Sequence, residues 1–215
     1  MKLRFGPLEA SWDAPTPSWL APFVGEGAPS SPAPWPTESD PRALQRALER
    51  WVLREAPALG CALVHAAAVS VEGGLGLLCG PPGVGKSTAA RRAGPRFLAD
   101  NAVLVCPESR TGWALPLAGG EGPPEGLDPE GRPVRVLAWL QRAPVPVVEW
   151  LRGPPATSLV ARACVRPGGP DPSAASRAMI TLQFASVVPV CLLGIPDGPG
   201  YLPALDEALG LEKHP

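Results

Sequence analysis

Gly80-Pro81-Pro82-Gly83-Val84-Gly85-Lys86-Ser87-Thr88 is the stretch that decides the fold. It fits the phosphate-binding pattern G-x-x-x-x-G-K-[ST] without a departure. Glycines at these positions let successive backbone N–H groups curl around a phosphate, and Lys86 reaches the β- and γ-phosphates. The Ser87 hydroxyl is the natural contact for Mg²⁺, and the helix expected to open at Lys86 adds its positive end. Gly80 through Thr88 are therefore the candidate nucleotide-binding residues. Lysine usage points the same way. Lys86 is one of only three lysines against sixteen arginines, and the others, Lys2 and Lys213, are terminal.

The flanks suit the motif. Leu75–Cys79 is an apolar run of strand length, and Ser87–Arg92 can carry a helix. Upstream, Cys61–Val71 reads as strand and Glu72-Gly73-Gly74 as the turn of a hairpin leading into the loop. Downstream, Phe97–Cys106 is apolar except for Asp100 and Asn101. Asp40-Pro41 reads as N-cap and first residue of a helix whose apolar positions 44, 47, 48, 51 and 52 share one face. Further on, Val134–Leu140 reads as strand, Val145–Arg152 and Ala156–Val165 as helices, and Ser173–Phe184 as helix. Val187–Leu193 reads as a late strand and Leu202–Leu209 as a closing helix.

Composition bounds the rest. At 215 residues, 45% apolar, the chain can bury a sizeable core, and a net charge of −1 gives no electrostatic case for nucleic acid or a membrane surface. No apolar run is long enough to span a bilayer. Five scattered cysteines without a C-x-x-C pair read as small hydrophobes in a reducing, cytoplasmic compartment. The 31 prolines crowd into 15–41 and 116–133, which marks loops there. Residues 1–40 are expected to be an edge strand, Lys2–Phe5, followed by a Pro-rich arm, with 41–215 as the nucleotide-binding domain.

A phosphate-binding loop needs a carboxylate partner, to hold Mg²⁺ or to take a proton from an attacking hydroxyl. Asp100 is the only acidic residue between Lys86 and Glu108. Asn101 either supplies a neutral oxygen to the metal or finishes a turn. His65, in an apolar strand, is either a satisfied core residue or one half of a proton-transfer pair.

Val64-His65-Ala66-Ala67-Ala68-Val69, the loop, and Phe97-Leu98-Ala99-Asp100-Asn101 together resemble the catalytic domain of HPr kinase/phosphorylase. They look closer still to the shorter HPr-kinase-related proteins encoded beside peptide-modification genes, including lasso-peptide kinases. The resemblance spans roughly residues 45–210 and has high specificity only in 64–101. It implies an α/β, phosphoenolpyruvate-carboxykinase-like domain, with a mixed, strongly curved sheet around the loop and helices outside. By the same analogy, ATP and Mg²⁺ are the cofactors, and a peptide, protein or small-molecule hydroxyl is the acceptor. His65 and Asp100 would activate that acceptor, Lys86 would hold phosphates, and Ser87, Asp100 and Asn101 would face the metal. Arg177 is the first candidate for a transition-state clamp, with Arg152 and Arg162 as competitors. A homo-oligomer is left open.

The chain departs from the family in two respects: Asn101 stands where the family has a second Asp, and the segment between the loop and Asp100 is short, so the loop helix must be brief. Separately, the long basic region that true HPr kinases use to contact HPr is not recognisable. HPr is therefore not the expected acceptor. Two other readings follow from the same residues: a degenerate kinase that binds nucleotide as a partner protein, and a P-loop ATPase or nucleotide kinase of the ordinary doubly wound type. The latter needs a βαβ crossover, which the short interval from loop to Asp100 and the entering hairpin disfavour.

Overall fold

The computed structural model describes residues 2–11, 24–25, 41–115, 130–168 and 171–196. The expected Pro-rich arm apart from Val24–Gly25, the N-cap Asp40 and the closing helix 202–209 lie outside them.

The chain opens with β1 (Lys2–Phe5), β2 (Leu8–Ser11) and β3 (Val24–Gly25), which form a small separate sheet of order β2-β1-β3. Lys2–Phe5 is thus a strand, but the central one of its own sheet rather than an edge. Leu8 is buried in a cluster with Trp113 and Trp51, which joins this sheet to the body. Helix α1 (Pro41–Glu55) buries Ala47, Leu48, Trp51 and Val52, the face its periodicity marks. A 3-10 turn and the left-handed Gly60 end it.

The main body is a nine-stranded mixed sheet. In chain order it takes β4 (Ala62–Val64), β5 (Ala67–Val71), β6 (Gly74–Cys79), α2 (Lys86–Arg92), β7 (Phe97–Ala99), β8 (Val103–Cys106) and β9 (Thr111–Ala114). Then come β10 (Arg132–Arg142), β11 (Val147–Leu151), α3 (Pro154–Ala163), α4 (Ala174–Val187) and β12 (Val190–Ile195). The path runs β4-β8-β9-β10-β6-β5-β7, with β12 also pairing β10 and β11 pairing β12. β5 and β6 form the expected antiparallel hairpin, while β6 and β12 run parallel to β10. Helix α2 packs on one side through Ala89, Ala90 and Ala93, and α3 with Phe184 of α4 packs on an apolar cluster containing Leu77, Cys79 and Trp139.

β10 is where the sheet forks. Besides the β12–β11 pair, which also adjoins β10, one branch holds β9, β8 and β4 and the other β6, β5 and β7. The chain passes between the branches twice, from β4 to β5 through His65-Ala66 and back from β7 to β8 through Asp100-Asn101-Ala102. The apolar runs 61–71 and 97–106 are therefore two strands each, broken at their polar residues.

Other boundaries moved for local reasons. Val145–Arg152, expected as helix, contains strand β11. Its Val148 and Trp150 are half-buried while Val147 and Glu149 are exposed, a period of two rather than 3.6. Five residue pairs tie it antiparallel to β12. Pro154 and Pro155, which lie between the two expected helices, occupy the first turn of α3, where a missing N–H costs nothing. α4 runs on through Val187, so the late strand begins only after Pro189.

Candidate active site

The loop leaves β6 at Gly80, and the strand pairings bring the other candidates to the same edge. β7 and β6 both run antiparallel to β5, so the end of β7 at Asp100 lies at the same end of the sheet as Gly80. β10 and β12 reach that edge with their C-terminal residues.

Two loop glycines are dictated by geometry. Gly80 has φ +146, and a Cβ there would stand 2.9 Å from the Leu140 carbonyl oxygen. Gly85, with φ +103, turns the chain into α2 in a conformation L side chains rarely adopt. Pro81, Pro82 and Gly83 are exposed at the tip, Val84 is buried beneath it, and Thr88 faces outward on α2. Lys86 is buried, and its ammonium donates to the carbonyls of Gly80 at 3.0 Å and Pro81 at 3.3 Å. Burial lowers its pKa, which the charge of Asp100 partly offsets. The lysine thus lies folded along the inside of the loop, over the concavity that a phosphate would fill.

Ser87 and Asp100 meet directly. The Ser87 hydroxyl donates to Asp100 Oδ1 at 2.7 Å, across 13 residues of sequence. The other carboxylate oxygen lies 3.7 Å from the Arg91 guanidinium, a long contact whose arginine is half-exposed while Asp100 is largely buried. A hydroxyl and a carboxylate oxygen this close form a hard-oxygen donor pair, which suits Mg²⁺. Among the described residues no group of three or more His, Cys, Asp or Glu could cage a metal by itself. A metal here would complete its shell with phosphate oxygens and water.

His65 stands at the first crossing, half-buried. Its ring Nδ1 is 3.0 Å from the backbone carbonyl oxygen of Asn101 at the second crossing. A carbonyl only accepts, so Nδ1 carries the proton and Nε2 keeps its lone pair. Burial, seconded by the Lys86 charge, holds the imidazole below its usual 6.5, against the pull of the Asn101 carbonyl and Asp100. What Asn101 contributes is its main chain, held at φ 91, a left-handed conformation that Asn accepts more readily than most residues.

Arg177 is not brought to this edge. Its Nε donates to Asp171 Oδ2 at 2.9 Å and its Nη2 to the Leu53 carbonyl, with the side chain only 14% exposed. It fastens α4 to the end of α1, which corrects the expectation of a clamp; its donors serve the fold. Arg152 lines a cleft of about 820 Å³ with Arg110, Arg135 and Trp150, at the end of β11 and the start of β12, the opposite end of the parallel strands. The third competitor, Arg162, does lie at the loop edge, with its guanidinium 4.7 Å over the Trp139 ring. Trp139 itself carried no sequence signal, since only the register of β10 beside β6 places it there.

No protein-family model matches the chain, and neither does any curated protein sequence. Among solved structures, the chain is similar to the HPr(Ser) kinase/phosphatase from Coxiella burnetii. The identity is 16% over 68% of this chain and 87% of that one, with a TM-score of 0.31. A likeness of that depth assigns no residue a role. Among the described residues, no helix is long and apolar enough to cross a membrane.

Proposed function

We propose that this chain is an ATP- and Mg²⁺-dependent phosphotransferase that moves the γ-phosphoryl group of ATP to a hydroxyl acceptor on a peptide, a protein or a small molecule. The observation that carries this reading is the convergence on one loop of Ser87–Asp100 at 2.7 Å and of a neutral, oriented His65. A phosphate-binding loop alone binds nucleotide. A proton acceptor beside it gives the loop a reason to transfer.

In this mechanism the loop amides and Lys86 hold the phosphates, the ammonium exchanging the Gly80 and Pro81 carbonyls for phosphate oxygens. Mg²⁺, held by Ser87 and Asp100, would neutralise charge on the β- and γ-phosphates. His65 Nε2 takes the proton of the acceptor hydroxyl as its oxygen bonds to the γ-phosphorus and the bond to the β–γ bridging oxygen breaks, leaving ADP. Nδ1–H stays on the Asn101 carbonyl, which stabilises the imidazolium that forms. Asp100 serves the metal side, since one of its oxygens already accepts from Ser87. We read residues 41–215 as the catalytic unit and the fold as phosphoenolpyruvate-carboxykinase-like. The hairpin entering the loop and the mixed sheet support the latter.

The test is ATP turnover by the purified chain against a panel of peptides and small hydroxyl compounds, with Lys86→Ala as control. Acceptor-dependent ADP formation that Lys86→Ala abolishes supports the reading. ATP binding with no turnover against any acceptor favours a second reading, a nucleotide-binding partner protein, for which Asn101 in place of a second carboxylate is the specific observation.

A further inference from the structure

The end of α3 is built into the candidate site. Ala163 gives its carbonyl to the His65 amide at 2.8 Å, Cys164 bridges Val64, and the Val165 amide returns to the Leu63 carbonyl at 2.8 Å. Arg162 precedes this junction in the last turn of the helix and lies across the ring of Trp139. Trp139 pairs in register with Cys79, the residue before Gly80, and Leu140 packs against Gly80 itself. One helical turn therefore holds a guanidinium on the rim between the loop and His65, on the face of the sheet opposite α2.

Two plainer accounts explain part of this. A cation suits a helix C-terminus, and arginine stacks on tryptophan wherever the two meet. Neither accounts for a guanidinium that is exposed and, among the described residues, has no carboxylate partner, at the edge where the phosphate loop, Asp100 and His65 converge. Stacking uses the face of the guanidinium and leaves its in-plane N–H donors outward, the geometry that grips phosphate oxygens two at a time.

We propose that Arg162 is the second cation of the transfer site, meeting the equatorial oxygens of the migrating phosphoryl group from the acceptor side while Lys86 holds them from the loop side. Charge on those oxygens must be stabilised from beyond the loop as the bond to ADP breaks, and Trp139 presets the guanidinium for that task. This assignment rests on the phosphotransferase reading, and its test separates the two.

Binding of MgATP and of MgADP with aluminium fluoride, a mimic of the phosphoryl group in flight, is measured calorimetrically for the parent, Arg162→Ala, Arg162→Lys and Lys86→Ala. Arg162→Ala should bind MgATP within about threefold of the parent but lose about 10²-fold for the aluminium fluoride complex, the scale of one lost transition-state donor. Arg162→Lys should recover part of that loss. Equal weakening of both complexes, or a fall in the melting temperature of the ligand-free protein, makes Arg162 structural and overturns the assignment; so does an unchanged pair of affinities. If the parent binds MgATP and Lys86→Ala does not, nucleotide binding stands whatever Arg162 does. A parent that binds neither complex removes both proposals.

Discussion

The ring of His65 and the main chain of Asn101 staple the two places where the chain crosses between the branches of the sheet, Nδ1 to carbonyl oxygen at 3.0 Å. The bond spans 36 residues of sequence and fixes two things at once. It sets the tautomer of the imidazole, and it holds Asp100, one residue earlier, at the edge shared with Ser87.

The staple predicts an unusual pattern at position 101. Because the carbonyl and the left-handed φ matter, Asn101→Gly should keep both fold and turnover. Asn101→Val should lose roughly 1–2 kcal/mol, the cost of forcing a β-branched residue into that region, and turnover with it. Thermal melts and ATP turnover on the two variants check this. A silent Asn101→Val would remove the main-chain role.

Position 65 separates structure from chemistry. In His65→Asn the amide nitrogen can take the place of Nδ1 and keep the bond to the Asn101 carbonyl, but no base remains. The expected outcome is a folded protein whose acceptor-dependent turnover falls by about 10²–10⁴, the usual weight of a general base. Equal turnover in parent and variant would end the assignment.

The depressed pKa of His65 also gives a pH signature. Between its folded value and 6.5 the unfolded chain binds the proton that the folded chain excludes, so stability rises with pH across that window and declines as pH falls below 6.5. In His65→Asn that contribution is absent. Urea melts should therefore show the parent losing ground to the variant as pH drops below 6.5, and no change in their difference at higher pH. Turnover of the parent should hold steady from about pH 8 through 6.5 and fall only at lower pH, as the depressed folded-state value of the base is approached.

Asp100→Asn keeps an oxygen to accept from Ser87 but removes the charge proposed to face Mg²⁺. It should fold like the parent, need a higher Mg²⁺ concentration for half-maximal turnover and run at least about tenfold slower. Arg91→Ala should change little, since its contact with Asp100 is long and the arginine itself is half-exposed. A Mg²⁺ titration of the three proteins decides it.

Gly80→Ala drives a methyl toward the Leu140 carbonyl at a φ that L residues avoid. A destabilisation of about 1–3 kcal/mol with loss of nucleotide binding is the expected result, read by denaturant melts and by calorimetry. Native-like stability with intact binding would mean that the loop has room to reshape.

What the sequence made legible was local. The phosphate loop, the hairpin entering it and the brevity of α2 all follow from patterns within a few residues. Asp100 stood out as the only carboxylate in reach. β11 was misread because Val145–Arg152 contains enough apolar residues to satisfy a helix, and only its pairing with β12 selects the two-residue period. Arg177 was misplaced for a related reason. Its position in a helix is evident, but its commitment to Asp171 and Leu53 is a long-range fact, 124 residues from the carbonyl it holds. The stacking of Arg162 on Trp139 depends on the direction of α3 and the register of β10, neither of which leaves a trace in composition or spacing.

The fork at β10 has a consequence for the newly made chain. The β5–β6 hairpin and the loop that follows it are built largely from contacts close in sequence. His65 and Asp100 come to it only when both branches are docked and both crossings closed, which requires residues as far on as Ala163. On the proposed reading, the groups that would carry transfer are therefore assembled only when the last of these long-range contacts has closed.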